Sequence, residues 1–173
     1  PMEGVVDFKM RQLLTNIGGF DLCVTEFVRV IDKCLPAKVF HRYCPELNNN
    51  GLTKAGTPVR VQLLGQVADV LAENAVRAIE LGSHGIDLNF GCPAKTVNKS
   101  RGGAVLLKDP DHMYDIIKAV RDAVDSKHQV SAKIRLGFDD DSNSQEIVDA
   151  VVSAGADSIA IHARTKRDGY NPP

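Results

Sequence analysis

Short apolar runs alternate with longer amphipathic segments along the whole chain. Five runs read as strands, at residues 22–28, 59–64, 85–90, 130–136 and 158–162. They are rich in β-branched and aliphatic residues, the composition of parallel strands buried on both faces. Between them the apolar positions recur every three or four residues. Over residues 67–81 the stripe is Val67, Val70, Leu71, Ala75, Ala78 and Ile79, and Gly82 follows as a stop. Asp109 and Pro110 predict a second helix, with Asp as N-cap and Pro at the first helical position. Its stripe runs through Met113, Ile116, Ile117, Val120 and Val124. Ser142 and Gln145 suggest a capping box for a third helix, which carries Ile147, Val148, Val151 and Val152.

A weak repeat supports this pattern. Leu81-Gly82 followed by Ile86-Asp87-Leu88 resembles Ala154-Gly155 followed by Ile159-Ala160-Ile161. Repeated βα units imply a parallel sheet, closed as a barrel or open and doubly wound. No GxGxxG follows the first strand to support a dinucleotide fold. The expected class is therefore α/β, a (β/α)8 TIM barrel. A full barrel takes about 200–250 residues or more, so about the first six βα units are expected over residues 1–173. Pro1-Met2 would be the end of one further strand.

Composition narrows the setting. With 43% hydrophobic and 25% charged residues, the chain is ordinary for a globular protein. No run of about 18 apolar residues suits a membrane span, and no secretory signal is visible. Cys23, Cys34, Cys44 and Cys92 show no CxxC or Cys/His spacing suited to zinc, and free thiols in a reducing cytoplasm are the simplest reading. A net charge of −1 lacks the basic excess of a self-sufficient nucleic-acid binder. Asp139-Asp140-Asp141 lacks the offsets of a calcium loop and reads as a solvated acidic turn before a helix, so no metal is expected.

The C-terminal ends of the strands are polar in succession. They carry Glu26 and Arg29, then Gln62, Asn89 and Cys92, Lys133 and Arg135, and finally His162 and Arg164. In a parallel barrel these ends share one face, where active sites are built. Cys92 follows a buried strand within Asn89-Phe90-Gly91-Cys92-Pro93. An unperturbed thiol pKa of about 8.5 leaves it protonated at neutral pH, which suits a general acid better than a nucleophile. Arg101-Gly102-Gly103 permits a mobile loop, a close backbone approach or a plain turn. Lys133 and Arg135 share one strand face, and an inward lysine there calls for an anion or a polar cofactor.

Together these segments resemble the tRNA-dihydrouridine synthases. The matching stretches are PMEGVVD at 1–7, TEFVRV at 25–30, VRVQLLG at 59–65, DLNFGCPAKTVNKSRGGAVLLKDP at 87–110, KIRLG at 133–137 and IHARTK at 161–166. LPAKVFHRYCPEL at 35–47, with TEFVRV, is most similar to the bacterial C subfamily, which acts on uridine 16. The resemblance implies an FMN-binding TIM barrel followed by a small helical tRNA-binding domain, in a cytoplasmic monomer. It implies that Pro1, Met2 and Glu3 line the flavin, that Gln62 contacts its ring, and that Lys133 and His162 bind it. Arg29, Asn89 and Arg135 would face the tRNA, and Cys92 would be the catalytic acid. NADPH would reduce FMN, hydride would pass to C6 of a uracil lifted from the stack, and Cys92 would protonate C5. Ala163 stands where the family more often has glycine. The glycine-containing phosphate segments that follow the seventh and eighth strands in the family are not found, nor is the helical domain. Weak or no FMN binding is therefore expected of residues 1–173 alone. Two rival readings remain, a dihydroorotate or dihydropyrimidine dehydrogenase and a noncatalytic RNA-binding derivative of the same fold.

Overall fold

Alternation along the strands sorts their side chains between a helix-covered outer face and a largely polar inner face. A register shift between Val24 and Phe27 interrupts it in the first strand. In the computed structural model, which describes residues 2–169, five strands form one sheet. They are β1 (Cys23–Arg29), β2 (Val59–Leu64), β3 (Ile86–Asn89), β4 (Val130–Arg135) and β5 (Ser158–His162). Each pairs in parallel with the next, so spatial order follows chain order. A doubly wound sheet reverses direction at a switch point. Sequential order is that of a barrel wall, and it resolves the choice left open by the repeat.

The helices are α1 (Phe8–Ile17), α2 (Ala37–Tyr43), α3 (Ala68–Glu80), α4 (Lys95–Lys99), α5 (Pro110–Ala123) and α6 (Ser144–Ser153). Helix α3 packs on α5, and α5 on α6. Their stripes close on the outer face of the sheet. Leu71, Ala75, Met113, Ile116, Ile117, Ile147 and Val151 share one buried core with Val61, Leu63, Ile86, Leu88, Ala132 and Ile134. The repeated helix stop is real. Gly82 (φ 106) and Gly155 (φ 87) both take the left-handed region. In each, the following N–H reaches back across the last turn, Ser83 to the Ala78 carbonyl (3.0 Å) and Ala156 to the Val151 carbonyl (3.3 Å).

Other expectations change. Asp109 caps α5 by accepting from the His112 N–H at 3.1 Å, as the sequence predicts. The Ser142–Gln145 capping box does not form. Ser142 bonds to Asp140, Gln145 bonds to Asp149, and α6 starts after Asn143, whose side-chain amide donates to the Leu107 carbonyl at 2.8 Å. Local carboxylates compete successfully for the would-be capping groups. Met2 lies outside any strand, and Pro1 is outside the described residues.

Helices α1 and α2 have no counterpart in the periodicity. Helix α1 buries Arg11 and Thr15 and exposes Phe8, Leu13 and Ile17. Arg11 is 1% exposed and forks onto Glu46, Nε to Oε1 at 2.8 Å and Nη2 to Oε2 at 2.9 Å, and also reaches the Tyr43 carbonyl. The helix is held by a buried bidentate pair, which hydrophobic spacing does not report.

Candidate active site

Register places the inward polar side chains of neighbouring strands side by side. Gln62 pairs with Asp87, Asp87 with Ser131, Asn89 with Lys133, and Arg135 with His162. Hydrogen bonds link most of them into one chain. Arg60 Nη1 donates to Ser131 Oγ (2.9 Å), and Ser131 donates to Asp87 Oδ1 (2.5 Å). Gln62 Nε2 donates to Asp87 Oδ2, and Asn89 Nδ2 donates to Gln62 Oε1, both at 2.7 Å. Desolvation pushes the buried Asp87 carboxyl above its ordinary range, against the pull of Ser131, Gln62 and Arg60.

The chain ends at the Cys92 loop. Asn89 Oδ1 accepts from the N–H groups of Gly91 and Cys92, each at 3.0 Å. The Cys92 carbonyl accepts from Asn98 Nδ2 and from the Ala104 N–H, again at 3.0 Å. Gly103 (φ 67) closes over it, and a Cβ there would lie 2.9 Å from the Cys92 oxygen. Of the roles open to the paired glycines, Gly103 serves close approach. Cys92 itself is a half-buried free thiol. Burial pushes its pKa up, with Glu3 adding to the rise, while the Ala94 N–H, Arg135 and Lys133 pull the other way. The net direction keeps the proton on sulfur.

Cys92 shares one cavity of about 560 Å³ with Met2, Glu3, Glu26, Gln62, Asn89, Lys133, Arg135 and His162. Eight of the expected site residues thus meet here: Met2, Glu3, Gln62, Asn89, Cys92, Lys133, Arg135 and His162. Pro1 falls outside the described residues. Arg29 does not join them. It lines a neighbouring cavity of about 220 Å³ with Lys99, Ser100 and Arg101, and donates to Ser100 Oγ at 2.7 Å. Arg135 lines the site but is only 2% exposed, and it donates to the carbonyls of Gly91 (2.8 Å), Thr165 (3.0 Å) and Gly169 (3.3 Å). Those bonds brace the loops after β3 and β5.

Desolvation, then the nearby Arg135 charge, lowers the pKa of the half-buried Lys133 ammonium. His162 is lowered by the same two causes in the same order, with Lys133 and Arg164 adding to them. A cavity that disfavours its own cations favours an anionic or carbonyl-rich occupant. The donors of Lys133 and Gln62 could hold the polar edge of a ring cofactor, and the cavity is of the size usual for cofactor sites. Among the described residues no group of three or more His, Cys, Asp or Glu is placed to hold a metal ion. No helix there is long and apolar enough to cross a membrane.

A family model described as "Dihydrouridine synthase (Dus)" matches residues 1–173. The chain belongs to the dihydrouridine synthase family. It is 62% identical over its whole length to a "tRNA-dihydrouridine(16) synthase" of Shewanella oneidensis, covering 55% of that protein. A protein of the same name from Haemophilus influenzae is 62% identical over 98% of the chain, which covers 55% of it. One from Escherichia coli is 59% identical, again over 98% of the chain and 54% of the relative. The chain thus spans about half the length of the curated relatives it matches.

Asp87 and Asn98 belong to the site but were not among the residues expected from the sequence. Asp87 had a signal, a carboxylate two residues before Asn89 on a strand otherwise aliphatic, hence on the same face. Asn98 had none, because its partner is a backbone carbonyl.

Proposed function

We propose that this chain carries the catalytic wall of a flavin-dependent enzyme that reduces uridine to 5,6-dihydrouridine in tRNA, at position 16. The observation that supports this best is a half-buried free thiol, its pKa raised by burial, lining one cavity with Lys133, His162, Gln62 and Asn89. Cys92 holds a proton on Sγ for C5 of the uracil. Lys133, His162 and Gln62 would hold an FMN ring, with Met2 and Glu3 beside it and Pro1 following the resemblance. FMN, recharged by NADPH, supplies hydride chemistry when bound. Asn89 faces the base. Arg29, outside the cavity beside Lys99 and Arg101, suits a backbone phosphate of the RNA. For Arg135 the carbonyl bonds favour bracing the Cys92 loop over the direct RNA contact that the resemblance implies.

The described sheet would form part of an FMN-binding TIM barrel whose further strands and helical tRNA-binding domain complete a cytoplasmic monomer. Edge strand β5, with Ile161 exposed, fits that reading. The test is Cys92→Ala in the full-length protein. It is expected to keep NADPH-driven flavin reduction and to lose dihydrouridine formation about 100-fold or more. Near-parental dihydrouridine content in the treated tRNA overturns the assignment.

A further inference from the structure

The reading above gives Cys92 a proton to deliver but leaves open what holds its loop in place. Asp87 is 4% exposed and is not among the described residues lining the cavity. We infer that Asp87 is a positioning residue whose carboxylate fixes Gln62, and through it the Asn89 amide that holds the Cys92 loop, in one hydrogen-bond polarity. The inference rests on the proton-donor reading of Cys92.

Both ends of the chain are fixed by chemistry. A guanidinium only donates, so Ser131 Oγ, accepting from Arg60, turns its own hydrogen to Asp87. At the other end the Gly91 and Cys92 N–H groups demand Asn89 Oδ1, so Asp87 Oδ2 must be the acceptor of the pair and Gln62 must present Nε2 to it. Gln62 Oε1 then faces Asn89, which must answer with Nδ2. That leaves Asn89 Oδ1 for the Gly91 and Cys92 N–H groups, which can only donate. Reversing either amide sets donor against donor. Without an acceptor at position 87, Gln62 loses the anchor at its far end, and only the Gly91 and Cys92 N–H groups still oppose a turn of the Asn89 amide, so the hold on the Cys92 loop loosens. Small misplacements of a reacting group are costly, so the effect falls on turnover.

Two substitutions separate this role from bulk stability. Asp87→Asn keeps one acceptor for Gln62, while Ser131 redirects its hydrogen to the Ile86 carbonyl at 3.4 Å. Asp87→Leu removes the acceptor. In the full-length protein the Leu variant is expected to lose about tenfold or more in kcat, with KM for tRNA within about threefold. The Asn variant is expected to stay within about threefold of the parent. Selective ¹⁵N-cysteine labelling should show the Cys92 amide shifted in the Leu variant and parental in the Asn variant, with Cys92 alkylation by iodoacetamide altered only in the former. If a stranded Arg60 prevents folding, Arg60→Met with Asp87→Leu removes both charges and carries the same readouts. A parental Cys92 amide and alkylation rate in the Leu variant, or equal impairment by Asn and Leu, overturns the inference. Should Cys92→Ala prove active, the proton-donor reading fails, yet the amide and alkylation readouts still decide whether Asp87 holds the loop.

Discussion

The two faces of the sheet are built from alternate residues of the same strands, and they are held by different physics. Leu88 points outward into a core shared with α3 and α5, while Asp87 and Asn89 on either side of it point inward. The outer face is secured by apolar area, which is non-directional and tolerates any filling of about the right volume. The inner face is secured by pairing, and each of its polar groups is costly unless a specific partner meets it. One strand can therefore support a core and a reaction at once. Damage to the outer face should appear as lost stability, and damage to the inner face as lost position.

The sharpest way to break that contrast is Leu88→Ala. It should lower unfolding free energy by about 2–5 kcal/mol in urea titration. Asn89→Ala should cost less than half as much while disturbing Cys92. If Asn89→Ala proves the more destabilising, the division between faces is wrong. Lys133→Ala should weaken flavin retention about tenfold, the scale of one charge-assisted contact. Flavin content on purification measures it, and unchanged content counts against that role. A subtler effect concerns pH. Because burial raises the Cys92 pKa, the thiol keeps its proton beyond the ordinary midpoint of about 8.5. As a proton donor it should sustain turnover through neutral pH and lose it as pH rises through the raised value. Alkylation should rise along the same curve, and a midpoint at or below the ordinary one contradicts the burial effect.

The outer face was the legible one. The stripes of α3, α5 and α6 and the aliphatic strands carry their burial in local spacing, and the structure packs them as that spacing predicts except at Val67 and Val152, which it leaves exposed. The strand-end residues were legible too, since a barrel gathers them by topology alone. What stayed hidden depended on partners distant in sequence. Arg11 was invisible because Glu46 lies on another element, and α1 went unread because it exposes Ile17 (77%) while burying a charge. Arg29 followed the strand-end rule yet landed in the next cavity, beside Ser100.

Cys92 shows where the division falls. Its place after a buried strand, its pairing with a following proline and the polar strand ends around it were all set by the order of residues. The sequence by itself determined the barrel-type alternation, the helix stops at Gly82 and Gly155 and the family. Only the tertiary structure decided that Asp87 meets Gln62 and Ser131, that Gly103 closes over the cysteine, and that burial pushes the thiol's pKa up. Periodicity is a local property of the chain, whereas hydrogen-bond polarity and desolvation depend on strand register and on what packs across it.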